Sequence, residues 1–73
     1  MTTKNVIYAL RTQKGLSQDE LAEKVFVTRQ AVSRWETGET IPGTETLKLL
    51  SNLFNVSMDQ YKTLWGDVVK EQE

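Results

Sequence analysis

Signals for helix starts recur along this chain and constrain its fold more than any other feature. Residues 17–20 (SQDE) and 57–60 (SMDQ) read as capping boxes, in which the serine hydroxyl and the side chain three positions on satisfy each other's backbone N–H groups. Thr28 and Thr44 are the expected N-caps of two further helices. The apolar residues between these signals follow helical spacing, and no stretch alternates as a strand does. The sequence therefore predicts an all-α protein.

We predict five helices, at about residues 3–14, 17–25, 28–37, 44–54 and 57–65 or beyond. Isolated helices this short are marginal in water, so their apolar stripes must pack against one another. A chain of 73 residues has room for one small core. The expected architecture is a compact five-helix domain over residues 1–65, followed by a C-terminal tail at 66–73 that is helical or frayed.

The end of the chain has two interpretations. Helical spacing continues past the interruption at Gly66, through Tyr61, Leu64, Trp65, Val68 and Val69. These side chains form a dimer seam, or Trp65 covers the core and the residues after it fray.

Composition excludes several classes of function. The chain contains no cysteine and no histidine, so it lacks disulfides, the commonest metal ligands and the commonest general base. The longest apolar run, residues 6–10 (VIYAL), is far too short to span a membrane, and residues 1–12 lack the apolar core of a signal peptide. We therefore predict a cytoplasmic protein without metal, cofactor or enzymatic activity, which binds a partner.

Charge is distributed unevenly along the chain. The net charge is −1, which by itself argues weakly against a nucleic-acid partner. Residues 1–38 carry six basic and four acidic side chains, whereas residues 39–73 carry three basic and six acidic ones. The excess of basic residues in the first half fits a nucleic-acid surface there, although ordinary surface variation gives the same asymmetry.

The second and third predicted helices are joined by only three residues, 25–27 (VFV). So short a turn forces a steep crossing, which is the geometry of a helix-turn-helix motif. In that motif the second helix lies in the DNA major groove. The two helix starts with clear caps on either side of the turn support this interpretation.

The third helix separates into two faces when it is turned by about 100° per residue. Ala31, Val32 and Trp35 share one face, which is suited to packing. The other face carries no acid, and arginine and glutamine on it are the residue types that contact guanine and adenine edges. Its members are Arg29, Gln30, Ser33, Arg34 and Thr37. The alternative is an ordinary solvated helix face.

Glu36 falls beside the packing face, near the end of the third helix. A carboxylate in that position requires a partner, and Arg11 near the end of the first helix is the best candidate. We interpret the pair as structural, fixing the orientation of the third helix. The alternative is that both are free surface charges.

Residues 15–22 (GLSQDELA) and 27–38 (VTRQAVSRWETG) resemble the phage Cro/repressor-type helix-turn-helix family, the XRE-like regulators. The resemblance extends over residues 5 to about 64. It implies a lambda-repressor-like fold and a transcriptional regulator, most simply a small repressor that binds a palindromic operator as a homodimer. The alternative is an antitoxin or other protein-interaction module with the same fold, which acts through a protein partner.

The resemblance also implies roles for individual residues. The base-contacting positions correspond to Arg29, Gln30, Ser33 and Arg34. The phosphate-contacting positions correspond to Ser17, Gln18, Thr28, Thr37 and Thr44. A buried arginine–glutamate pair found in several phage repressors corresponds to Arg11 and Glu36.

The chain departs from the family pattern in two places. Many relatives have glycine in the turn where this chain has Phe26, so a left-handed backbone there costs about 1–2 kcal/mol and requires a well-packed side chain. Alternatively, the turn avoids positive φ. The loop after the third helix carries Glu39, Thr40 and Ile41 in place of phosphate-binding cations. We expect few ionic contacts to DNA and a shallow salt dependence.

Overall fold

The fold consists of five helices, as predicted. We describe it from a computed structural model, which covers the backbone of residues 3–72 and the side chains of residues 3–57 and 59–66. Over this range the chain contains no strand. The helices are α1 (Thr3–Gln13), α2 (Gln18–Lys24), α3 (Arg29–Thr37), α4 (Thr44–Leu53) and α5 (Met58–Gln72). The first four lie within one residue of the predicted bounds at both ends.

Three of the four predicted helix caps are present. Ser17 Oγ accepts from the Glu20 N–H at 3.0 Å, and the Ser17 N–H donates to Glu20 Oε1 at 2.9 Å. The hydrogen bond from the Ser17 N–H lowers the pKa of the Glu20 carboxyl. Ser57 and Gln60 make the same reciprocal pair. Thr28 Oγ1 accepts from the N–H of the third helical residue in α3.

The prediction that Thr44 caps α4 is wrong. Gly43 is the N-cap, with an extended backbone at φ −72° and ψ 169°, and Thr44 is the first helical residue. The Gly43 carbonyl accepts the first helical hydrogen bond, from Leu47 N–H at 2.9 Å. Leu47 and Leu50 are completely buried. The start of α4 is therefore determined by the burial of these two leucines in the core, and not by a threonine cap.

A single hydrophobic core lies where the five helices meet. Apart from Pro42 in the loop before α4, the buried apolar side chains of the described residues come from the five helices and from the turn after α2. They are Val6, Ile7, Leu21, Ala22, Val25, Val32, Trp35, Leu47, Leu50 and Trp65.

Trp65 belongs to this core. Its side chain is 0% exposed, and its indole Nε1–H donates to Ser51 Oγ at 2.9 Å. The backbone of Trp65 leaves helical geometry, at φ −110° and ψ 18°, and α5 then continues to Gln72. Of the two interpretations, the core role is therefore correct for Trp65. The side chains of Val68 and Val69 lie outside the described residues, and the division between a domain at 1–65 and a tail at 66–73 stays a prediction.

Candidate nucleic-acid interface

The turn between α2 and α3 depends on a left-handed residue, Phe26. Its φ of 61° lets the next residue, Val27, donate its N–H to the carbonyl of Ala22 at 3.0 Å. This hydrogen bond closes the C-terminus of α2 and turns the chain directly into α3. The expectation that the Phe26 side chain packs well is wrong, since it is 83% exposed. The backbone closure, not side-chain burial, fixes the turn.

We predict that Phe26→Gly stabilises the protein. Glycine adopts positive φ without the steric cost that phenylalanine incurs, so the free energy of unfolding should rise by about 1 kcal/mol. Thermal unfolding followed by circular dichroism should then show a melting temperature about 4–8 °C higher. Asn55→Gly is the matched control, because Asn55 is also exposed at φ 56° but asparagine tolerates that region. A lower melting temperature for Phe26→Gly would show that the ring makes a stabilising contact.

The two faces of α3 are those that its sequence predicted. Val32 and Trp35 are buried and Ala31 is half-buried. On the opposite face, four of the five polar residues are exposed and Ser33 is half-buried. The hydroxyl of Thr37 donates to a carbonyl within α3, that of Arg34, at 3.1 Å. The helix is thus anchored by one face and presents hydrogen-bonding groups on the other.

Four of the five residues expected at phosphates lie near helix N-termini, and the fifth, Thr37, is the last residue of α3. Ser17 and Thr28 are exposed N-caps, and Thr44 is exposed at the first position of α4. Backbone N–H groups at such termini, together with the helix dipole, favour anionic groups. Gln18, the first residue of α2, is half-buried and its Nε2 donates to Glu36 Oε1 at 3.1 Å.

Arg11 and Glu36 form a doubly hydrogen-bonded pair between α1 and α3. Arg11 Nε lies 2.6 Å from Glu36 Oε2 and Nη2 lies 3.0 Å from Oε1, while Nη1 donates to the Leu16 carbonyl at 2.8 Å. The side chains are only 11% and 7% exposed. Accepting these hydrogen bonds, Glu36 raises the pKa of Arg11 above its ordinary value. With Gln18, the pair ties the first three helices together.

Two acids accompany the arginines of the polar face. Asp19 Oδ1 of α2 lies 3.6 Å from Arg29 Nε. Glu39 Oε2, just after α3, lies 3.7 Å from Arg34 Nε. The polar face of α3 contains no acid of its own, as predicted, but neighbouring segments supply one for each arginine. Sequence reasoning missed both pairs, because they depend on how the segments are placed around α3.

Lys4 is a further residue that sequence reasoning missed. Gly38 ends α3 in a left-handed conformation at φ 83°, and the Lys4 side chain of α1 lies against it. A Cβ added to Gly38 would be 3.3 Å from Lys4 Cδ and 3.8 Å from its Nζ. A cation thus lies beside the loop whose own sequence offers no basic side chain. The two residues are far apart in the chain, and no local motif links them.

The described residues contain neither a helix long and apolar enough to cross a membrane nor a cluster of His, Cys, Asp and Glu arranged to hold a metal ion.

The fold, the closed turn and the anchored third helix define a helix-turn-helix domain. A family profile described as Helix-turn-helix matches residues 7–61, and the chain belongs to this XRE-like family of DNA-binding regulators. Membership points to a DNA-binding regulator and not to an enzyme, in agreement with the sequence analysis.

Several curated proteins are similar to this chain. It is 47% identical over 51 residues to the HTH-type transcriptional activator BcrR of Enterococcus faecalis, covering 70% of this chain and 25% of that protein. It is 43% identical over 49 residues to the SPbeta prophage-derived uncharacterized HTH-type transcriptional regulator YonR of Bacillus subtilis (strain 168), covering 67% and 45%. It is 36% identical over 56 residues to the uncharacterized HTH-type transcriptional regulator YgzD of the same organism, covering 77% and 85%.

The chain thus spans a quarter of BcrR and less than half of YonR. No solved structure matches it.

Proposed function

We propose that this protein is a sequence-specific transcriptional regulator that inserts α3 into the DNA major groove. The observation that carries the proposal is the division of α3 into a buried face, with Val32 and Trp35, and an exposed polar face. An arginine donates two hydrogen bonds to guanine and a glutamine exchanges two with adenine, so this face has base-reading chemistry. The proposed base-contacting residues are Arg29, Gln30, Ser33 and Arg34.

The proposed phosphate contacts surround this helix. Exposed helix N-termini offer backbone N–H groups to phosphates without adding charge. The proposed residues are Ser17, Gln18, Thr28 and Thr44 at such termini, together with the exposed Thr37 at the C-terminal end of α3. Because these groups are uncharged, few counterions are released on binding, and the dependence of affinity on salt concentration should be shallow.

We further propose that the protein binds a palindromic operator as a homodimer and represses transcription. Helix-turn-helix proteins place two recognition helices in half-sites one DNA turn apart, about 34–36 Å, which requires two-fold symmetry. Occupying a promoter is sufficient to block polymerase, whereas activation needs an additional protein contact. The relative BcrR is named as an activator. A reporter gene under the selected operator tests the direction of regulation.

The primary test is selection of binding sites from random duplex DNA with the purified protein. A two-fold symmetric consensus with half-sites about one turn apart is expected. Absence of enrichment at low salt would overturn DNA reading by this chain alone.

A second candidate function is binding to a protein partner, such as a toxin. It is favoured by the aromatic ring of Phe26, which stands 83% exposed on the turn.

Arg34→Ala is predicted to weaken binding to the selected site by about 1–3 kcal/mol and to relax the preference at one base position. The reason is the loss of a directional contact to a base edge. Titrations against the selected duplex and its single-base variants measure both effects. Lys62→Ala on α5 is the matched control, since it removes one exposed cation away from α3. Equal losses on every duplex would contradict base reading by Arg34.

A further inference from the structure

We propose that Asp19 and Glu39 are positioning residues that determine DNA specificity by orienting Arg29 and Arg34. This inference rests on the proposed function and assigns a role to the two acids that lie beside the arginines of the base-reading face. Each arginine of the base-reading face has one carboxylate beside it, at 3.6 Å for Asp19 and 3.7 Å for Glu39.

Both carboxylates approach the same edge of their arginine. In each pair the nearest nitrogen is Nε, not one of the terminal amino groups. The guanidinium group is a rigid planar fork, so an anion at the Nε edge restricts the plane of the whole group. It also leaves the two terminal amino groups to face a guanine, whose O6 and N7 accept a bidentate contact.

Backbone geometry holds the two acids in place. Asp19 is the second residue of α2, two positions after the N-cap Ser17 and within the hydrogen-bonded capping box. Glu39 follows the left-handed Gly38, and its backbone N–H donates to the carbonyl of Arg34 at 2.9 Å. The backbone of Glu39 is therefore anchored to the same residue whose side chain its carboxylate faces.

These ion pairs contribute little to folding, because all four side chains are more than half exposed. Their effect is expected on binding. An arginine that is already oriented loses less freedom when it docks on a base edge. A carboxylate at the DNA surface also repels phosphates, which opposes binding that relies on charge alone. Both effects favour the correct sequence over random DNA.

The test compares Asp19→Asn and Glu39→Gln, which keep the side-chain shape and remove the charge, with Glu23→Gln as matched control. Glu23 is an exposed acid of α2 for which no ion pair is found in the described part of the chain. Dissociation constants are measured at one salt concentration for the duplex selected by the wild type and for a scrambled duplex. The two variants should bind the scrambled duplex about fivefold more tightly and the selected duplex no more tightly than wild type.

The dissociation constant for the scrambled duplex divided by that for the selected duplex should therefore fall about fivefold in both variants. Glu23→Gln should change both constants by the same factor and leave this ratio unchanged. A ratio that stays at the wild-type value would overturn the inference and leave the proposed function intact. A wild-type protein that selects no DNA sequence would overturn both this inference and the proposed function. Melting temperatures monitor folding, and Glu39→Gln carries the test should Asp19→Asn destabilise the first turn of α2.

Discussion

Trp65→Ala is expected to lower the free energy of unfolding by about 4 kcal/mol, the largest effect of any single substitution considered. Truncating a buried tryptophan removes its apolar burial and leaves a cavity, and such changes cost about 3–5 kcal/mol. A chain of this length has roughly 4–11 kcal/mol in total, so a large share of its stability depends on one side chain. Urea denaturation followed by far-UV circular dichroism measures the loss.

The Trp65 side chain contributes through two separable interactions. Ser51→Ala removes only the acceptor for the indole N–H and should cost about 1–3 kcal/mol, because a buried donor is left without a partner. Leu49→Ala on α4 is the control, since that leucine is 37% exposed and its truncation should be nearly neutral. A Trp65→Ala protein that melts within a degree or two of the wild type would show that the core does not depend on this ring.

Trp65 also illustrates what the sequence predicted and what it left open. The family profile ends at residue 61, four positions before this tryptophan. Helical spacing placed Trp65 on the apolar stripe of α5, but the same stripe served equally well for a dimer seam. Only the packing of α5 against α4, which brings Ser51 within hydrogen-bond distance, distinguishes the two.

Local signals predicted the helix starts, because a capping box involves four consecutive residues and needs no tertiary structure. The N-cap of α4 was misplaced by one residue, at Thr44 instead of Gly43, because the core positions of Leu47 and Leu50 decide it. Phe26 shows a similar limit. Its exposed, left-handed conformation follows from the closure of α2, and side-chain chemistry alone favoured burial.

The sequence predicted which residues of α3 form the candidate interface, but not which charged side chains of other segments lie beside them. Turning α3 by its helical period separated the polar face from the packing face, because that separation is a property of one helix. The acids beside Arg29 and Arg34 and the position of Lys4 against Gly38 arise from contacts between elements. Such contacts depend on crossing angles, which a sequence pattern does not specify.

Arg11→Ala is expected to lower the free energy of unfolding by about 3 kcal/mol. The substitution strands the carboxylate of Glu36, which is 7% exposed, and removes the donor to the Leu16 carbonyl. Breaking a buried ion pair by deleting one partner typically costs 3–5 kcal/mol, and the hydrogen bond from Gln18 remains to offset part of this. The melting temperature should fall by roughly 12–24 °C. Arg29→Ala, which removes an exposed arginine, should change it little.

The double variant Arg11→Met/Glu36→Leu separates stability from orientation. Replacing both charges with apolar groups should recover most of the stability lost in Arg11→Ala, because no carboxylate is then left buried without a partner. If the pair also fixes how α3 sits on α1, the double variant should melt near the wild-type temperature and still bind the selected duplex more weakly. Wild-type affinity in that folded double variant would contradict an orienting role and reduce the pair to a buried charge with its counter-ion.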